Sequence, residues 1–253
     1  MATTSPDKIY SPDAGQQYAL TQDLLAMADS VQGALVSVRA RGTSAQRNSL
    51  YGSPVTAAEQ VALANAGATW LNTETGVRER YYATSGTAGL IVMGLAPGYS
   101  AGWYPEPGSF LYSRRNKTNG SQATGTGGIS EPVMNAALSI NVGGFGTSGV
   151  AGIAVPFSGW YEVTGQIYWS GPAAGSVITH LLAGGPVLSQ SRSQKSDGND
   201  ITSLATANLR VSQGTGISLG GQPSGATVSM VGTDTNFVGT YISVRYLSPP
   251  LGS

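Results

Sequence analysis

The stretch GWYEVTGQIYW, residues 159–169, alternates between apolar and polar side chains. From Tyr161 onward the odd positions carry Tyr, Val, Gly and Ile, whereas the even positions are mostly polar. Successive side chains of a β-strand point to opposite faces, so this period of two predicts a strand with one buried face. Residues 241–246 repeat the pattern, with apolar or aromatic residues at each even position. We therefore expect Val163, Ile167, Ile242 and Val244 to be buried.

Short segments of this kind recur from about residue 129 to the C-terminus. They have the length of strands and are separated by Gly, Pro, Asn and Asp, residues that favour turns. The pattern is typical of an antiparallel β-sandwich, which we predict over residues 129–253. The segments are ALSINV, GIAVPF, GWYEVTGQIYW, SVITHLLAG, ITSLATANLRV, GISLGG, ATVSMV and TYISVRYL.

The chain before the sandwich divides into a small α/β region and a linker. Residues 39–112 are predicted to hold a helix at 54–66, which begins at Ser53-Pro54 and ends before Gly67. A hairpin follows, with Gly76 in its turn. Residues 113–128, SRRNKTNGSQATGTGG, have almost no apolar content, and we predict a linker there.

The N-terminal residues 1–38 are predicted to form an extended arm and an anchoring helix. From about Ala19, apolar residues recur with steps of 4, 3, 4, 3 and 4, the spacing of a narrow helical stripe. A helix of this length is marginal alone in water, so the stripe needs a partner. The partner is either other copies of the chain or the chain itself, at 54–66 or 83–95. We call these residues the N-terminal stripe: Leu20, Leu24, Met27, Val31, Ala34 and Val38.

Composition excludes several functions. Charged residues make up 10% of the chain and the formal net charge is zero, which argues against nucleic acid as a partner, because phosphates require clustered Lys and Arg. The absence of cysteine removes disulfides and thiolate sites. No apolar run approaches the roughly 18 residues of a membrane-spanning helix. The first residues lack the apolar stretch of a signal peptide.

Candidate chemical groups are few, and each has a plain structural interpretation. The one histidine, His180, lies between apolar residues, so we expect a strand residue rather than a triad or metal ligand. Nothing favours Glu131 with Glu162, or Asp197 with Asp200, as the carboxylate pair of a glycosidase. The 197–200 stretch, DGND, is predicted to be a polar turn rather than a calcium loop. We therefore predict no enzyme, no metal and no cofactor.

Aromatic residues offer one candidate binding surface. Trp160 and Tyr161 open a strand and should point to opposite faces. Trp103 and Tyr104 stand among Pro and Gly in GYSAGWYPEP, and we predict that they form an exposed contact on a loop, where their rings could stack on a sugar.

The C-terminal segments resemble the jelly rolls of tumour-necrosis-factor-like and complement-globular-head proteins. The residues that carry the resemblance are 159–165, 208–211 with 214–219, and 240–247. At Thr215 the chain departs from the acidic residue usual in that family. The resemblance implies a jelly-roll domain, and it implies a homotrimer packed about a threefold axis.

The N-terminal half resembles minor tail proteins of phages that infect actinobacteria. The matching pieces are 7–10 with Pro12, 18–21 leading into 27–32, 41–47 and 70–76. The resemblance implies a virion protein whose N-terminal part attaches to the particle while its C-terminal part faces the host.

Together these expectations describe a mainly β, trimeric protein of the phage virion, with a helical N-terminal anchor, a small α/β region and a jelly-roll head. Its expected partners are two further copies, other virion proteins bound through the N-terminal region, and a host-surface glycan or protein. Neither nucleic acid nor membrane insertion is expected. Three alternatives stay open: a capsid head fibre or decoration protein of the same build, a polysaccharide depolymerase, and a secreted cellular adhesin.

Overall fold

The computed structural model of the chain describes residues 41–52, 56–118, 120–125, 127–171, 174–196, 198–224, 228–232 and 239–252. The predicted arm and anchoring helix therefore lie outside the described residues. This includes every residue of the N-terminal stripe: Leu20, Leu24, Met27, Val31, Ala34 and Val38.

A small α/β region precedes the sandwich. Four strands form a sheet in the order β1-β2-β3-β4, with β1 parallel to β2 and the other pairs antiparallel. The predicted hairpin is confirmed as β2 and β3, with Gly76 at a φ of 70° in the turn. The elements are β1 (Arg41–Gly42), α1 (Ser44–Tyr51), α2 (Ala57–Asn65), β2 (Thr69–Asn72), β3 (Val77–Tyr82) and β4 (Gly102–Pro105).

Capping boxes decide where both helices begin. The Thr43 and Thr56 side chains accept hydrogen bonds from the backbone N–H groups of Gln46 and Glu59, whose side chains bond back to the capping residues. The helix predicted to begin at Ser53-Pro54 therefore begins at Ala57 instead. Neither helix of the described ranges is long and apolar enough to cross a membrane.

Two antiparallel sheets form the sandwich. The large sheet has seven strands in the order β6-β15-β10-β16-β5-β7, with β13 on the other side of β10. The small sheet has five, in the order β12-β11-β14-β9-β8. The strands are β5 (Tyr112–Asn116), β6 (Ser121–Ala123), β7 (Ile140–Val142), β8 (Gly146–Ser148), β9 (Gly152–Ala154), β10 (Gly159–Ser170), β11 (Gly175–Ala183), β12 (Val187–Lys195), β13 (Ile201–Val211), β14 (Gly216–Ser224), β15 (Ser229–Val231) and β16 (Tyr241–Ser248).

The strand order is that of a jelly roll. In chain order, β5, β10, β13 and β16 belong to the large sheet, and members of the small sheet lie between them, so the chain passes repeatedly from one sheet to the other. The predicted antiparallel sandwich is confirmed by these pairings.

The core lies between the two sheets and follows the predicted alternation. Val163, Ile167, Ile242 and Val244 are fully buried, as the sequence pattern predicts. Trp160 is 39% exposed while its neighbour Tyr161 is fully buried, which confirms that the two point to opposite faces.

The predicted linker at 113–128 is wrong. Tyr112–Asn116 forms β5 beside β16, and Ser121–Ala123 forms β6 beside β15, so this stretch belongs to the large sheet. The composition misleads because the buried positions are Ser113, Arg115 and Lys117. The Lys117 Nζ donates to the carbonyls of Thr118 (3.2 Å) and Gly120 (3.0 Å), which satisfies the buried cation.

Two buried tyrosines at one end of the core should make the folded state less stable at high pH. The Tyr161 hydroxyl donates to the Phe157 carbonyl (2.7 Å) and that of Tyr246 to the Pro105 carbonyl (3.3 Å), with the rings 5.3 Å apart. Burial raises the pKa of both phenols above the usual value of about 10, and for Tyr246 the proximity of Tyr161 raises the pKa further.

A raised folded-state pKa contributes stability that is fully present below about pH 10 and is lost as pH rises beyond it, because only the unfolded chain then releases its protons readily. We expect the urea unfolding midpoint to fall above about pH 10. The double variant Tyr161→Phe/Tyr246→Phe should flatten this decline, and Tyr112→Phe should leave it unchanged. An equal decline in the double variant would contradict the assignment.

Candidate interaction surfaces

The centre of the outward face of the large sheet carries small, uncharged side chains. Pairing aligns Thr206 on β13 with Thr164 on β10 and Ser243 on β16. The next row along the strands begins with Leu204 and Gln166. A flat, neutral face of this kind is open to another sheet or strand edge, because its desolvation removes few charges from water.

The charged groups on this face already have partners within the chain. Glu162 and Arg245 lie 3.8 Å apart across β10 and β16, each about half exposed. The Arg114 guanidinium lies 3.9 Å from the centre of the Tyr241 ring, within cation–π distance. The face therefore presents little unpaired charge.

Exposed apolar side chains line the two opposite edges of this face. At the β5–β7 edge, Phe110 is 65% exposed and stacks on Tyr112, whose cross-strand partner is Val142. We call this group the β7 patch: Phe110, Tyr112, Ile140 and Val142.

At the other edge, Val187, Leu188 and Leu204 are exposed on β12 and β13, and we call them the β12 patch. β12 runs beside β13, and the Ser189 hydroxyl donates to the Thr206 carbonyl (2.9 Å).

A third exposed cluster joins the sandwich to the α/β region. The Arg210 guanidinium lies between two rings, 5.3 Å from the centre of Tyr99 and 6.0 Å from that of Trp160. Trp160 and Arg210 are cross-strand partners on β10 and β13, whereas Tyr99 belongs to the segment before β4. The stacking holds that segment against the end of the large sheet.

The predicted exposed loop at Trp103 and Tyr104 is wrong. Both residues lie in β4, which pairs with β3, and Tyr104 is 9% exposed with its hydroxyl bonded to the Ser100 carbonyl (2.8 Å). Trp103 packs against Tyr51 and Tyr81, at centroid distances of 5.0 and 5.5 Å, and the Arg47 guanidinium lies 5.1 Å from its ring. Both side chains pack within the α/β region, where residues that are distant in sequence cover them.

The prediction that His180 is a strand residue is confirmed. It lies in β11, is 4% exposed, and its Nε2 is 3.1 Å from the Gln222 Oε1. The Gln222 amide donates in turn to the Gly127 carbonyl. His180 therefore helps to fasten the segment around Gly127 to the outside of the small sheet.

A hydrogen bond within the chain stabilises the polar turn before β13. Tyr168 donates to the Asp200 carboxylate (2.8 Å), and this hydrogen bond lowers the pKa of Asp200. Asp197 lies outside the described residues. Within the described ranges, no three His, Asp or Glu side chains come together as metal ligands would.

No protein-family model matches the sequence, and no curated protein matches it.

Among solved structures, Eiger, a tumour necrosis factor from S. frugiperda, is 13% identical, with a TM-score of 0.44 over 55% of this chain and 94% of its own. Two structures of murine APRIL, at pH 8.5 and pH 8.0, are 12% and 14% identical, each with a TM-score of 0.41 over 55% of this chain and 99% of theirs.

Proposed function

We propose that the protein is a structural component of a tailed-phage virion, a minor tail protein or tail fibre. Its N-terminal region attaches to the particle, and three copies of the sandwich form a head that binds the host surface. The head acts by binding, and three weak sites on one head gain affinity through avidity. No reaction and no cofactor are part of this proposal.

One observation carries the proposal: the rows around Thr164, at the centre of the outward face of the large sheet, are uncharged and lie between two apolar edges. In a cyclic trimer, the β12 patch of one copy would pack beside the β7 patch of the next, a head-to-tail contact that closes into a ring. This arrangement would bury the neutral rows around Thr164 and leave the outward face of the small sheet free for a host ligand.

The positions of Glu131 and Glu162 disfavour this pair as the site of a depolymerase. Glu162 lies on the outward face of the large sheet, where it faces Arg245. Glu131 lies on the other side of the sandwich, next to Leu182 and Ser218 of the small sheet. A glycosidase needs its two carboxyl groups within about 10 Å of each other on one cleft, and these two do not share one.

Labelling of intact particles tests the position on the virion. An antibody against the sandwich should decorate the tail of an actinobacterial phage that encodes the chain. Decoration of the capsid would favour the head-fibre alternative instead. Particles that lack the chain altogether would contradict the proposal.

A charge in the centre of the outward face should dissociate the trimer. Thr164→Arg introduces an unpaired cation at the proposed contact, whose burial costs several kcal/mol. We expect the mass measured by light scattering to fall to that of one chain. Thr73→Arg, in the exposed turn between β2 and β3 of the α/β region, is the matched control. A Thr164→Arg variant with undiminished mass would show that this face is not the contact.

Leu24→Asp tests the N-terminal stripe separately. We expect this variant to weaken trimer formation or incorporation into particles, since an aspartate interrupts the predicted apolar stripe. Normal assembly and normal incorporation would contradict the anchoring role.

A further inference from the structure

A cleft of about 350 Å³ lies on the outward face of the small sheet, on the side of the sandwich opposite the proposed trimer contact. Its walls come from parts of the chain that are far apart in sequence: Glu131, Ser148 at the end of β8, Leu182 on β11, and Ser218 on β14. Glu131 is positioned by its neighbour Ser130, which exchanges two backbone hydrogen bonds of 2.8 Å with Gly221 of β14.

The polar side chains of the cleft have no partners among the described residues. The ion pairs of the described residues join Arg47 with Glu79 and Arg245 with Glu162, so the exposed Glu131 carboxylate has no cationic partner there. The hydroxyls of Ser148 and Ser218 form no hydrogen bonds with other described residues. One carboxylate and two hydroxyls therefore face the same space with free hydrogen-bonding capacity.

Two glycines leave parts of the cleft wall without side chains. Gly216 lies on β14 directly beneath Ser148, and a Cβ there would overlap the Ser148 Oγ. The turn from β11 to β12 contributes Gly185, whose φ of 114° is readily adopted only by glycine. A Cβ at Gly185 would meet open space, so the absence of side chains at this end leaves the cleft accessible.

We propose that this cleft binds a neutral sugar unit of a host-surface glycan. Adjacent sugar hydroxyls donate to the Glu131 carboxylate in charge-assisted hydrogen bonds, while the two serine hydroxyls bond to neighbouring oxygens. Leu182 contacts the C–H face of the ring. The volume lies at the lower end of the range of small-molecule sites.

Other ligand classes fit the cleft less well. No Lys, Arg or His lines it among the described residues, so an anionic group would meet only the Glu131 charge. A cationic group would pair with Glu131 alone and leave both serine hydroxyls unused, whereas a sugar can bond to all three side chains. An apolar ligand would find one leucine and leave the carboxylate and both hydroxyls desolvated.

This inference rests on the proposed function, since it names the ligand class of the host-binding head. The outward face of the small sheet stays accessible in the proposed trimer, which would present three such clefts. A weak interaction at each would add through avidity on a surface that repeats the same sugar.

Saturation-transfer NMR on the full chain tests the site, with the methyl glycosides of galactose, glucose, mannose and arabinose as probes. We expect transfer to at least one of them. Glu131→Gln should raise its Kd about tenfold, because the charge-assisted hydrogen bonds are lost. Ser218→Leu should abolish transfer by filling the cleft. Glu106→Gln, a carboxylate in the α/β region, is the control and should leave the Kd unchanged.

Three results would overturn the cleft assignment: no transfer to any glycoside, transfer that Glu131→Gln and Ser218→Leu leave unchanged, or transfer to glucosamine alone. Binding of the fluorescently labelled chain to host cells, measured in parallel, separates the two proposals. Cell binding that Glu131→Gln does not reduce would refute the cleft and spare the host-binding function. Glycoside binding at the cleft without cell binding would support the cleft and refute that function.

Discussion

Gly165→Val is expected to destabilise the sandwich strongly. Gly165 lies in the middle of β10 on the buried face, where the two sheets approach each other. A Cβ at this position would lie 2.5 Å from the Leu219 Cδ1 and 2.6 Å from the Leu181 Cδ2. Both leucines are fully buried and have no room to withdraw. We expect a loss of about 3 kcal/mol in the free energy of unfolding, at the upper end of the range for overpacked cores.

Gly146→Val is the matched control for this prediction. Gly146 lies on β8, where an added Cβ would meet only the Ala154 Cβ, at an ordinary 3.6 Å. Urea unfolding of the two variants should give a large shift of the midpoint for Gly165→Val and a small one for Gly146→Val. Equal shifts would mean that the sheets do not approach each other at Gly165 as described.

Arg115→Met should have a comparable or larger effect. Arg115 is 4% exposed, and burial lowers the pKa of its guanidinium. Its Nε donates to the Asn135 carbonyl (2.8 Å), and its Nη1 donates to those of Gly149 (3.2 Å) and Gly152 (2.7 Å). The guanidinium thereby holds the chain before β7 and the turn before β9 against β5. Methionine fills much of the space but leaves these carbonyls without a donor.

We expect Arg115→Met to lose about 3–5 kcal/mol of stability, since each hydrogen bond from a charged donor contributes about 1.5–3 kcal/mol. Amide hydrogen exchange should accelerate first in residues 135–152. Arg114→Met, the neighbouring residue on the outward face, removes the contact with Tyr241 and should cost about 1 kcal/mol or less. If the amides of residues 135–152 exchange as slowly as in the native chain, Arg115 does not hold this segment against β5.

The sequence predicted those strands of the sandwich whose inward positions all carry apolar residues. β10 and β16 carry apolar residues at the inward positions, so their period of two is visible without any knowledge of their partners. β5 has the same period, but its inward positions are Ser113, Arg115 and Lys117, which are stabilised by carbonyls that only the folded chain brings near. Its composition therefore resembles that of a linker.

The exposure and the neighbours of candidate binding residues depend on which strands pair, and the sequence alone does not reveal that pairing. β12, with LSQSRSQ at its centre, is an edge strand with polar residues on both faces, and no pattern predicted it. Trp103 and Tyr104 looked exposed because Pro and Gly flank them, yet β3 and the Tyr51 ring cover them. Glu131, Ser148 and Ser218 meet only because β8, β9 and β14 are neighbours, and no spacing in the sequence marks that meeting.

The solution mass of the full chain tests the central claim, a trimeric binding head, most directly. Light scattering behind a sizing column should give a mass near three times 25.8 kDa at micromolar concentration. The proposal predicts this mass for the native chain and for Glu131→Gln, and a lower one for Thr164→Arg. A native mass of 25.8 kDa that does not rise with concentration would contradict the trimer and leave the outward face of the large sheet without its proposed partner.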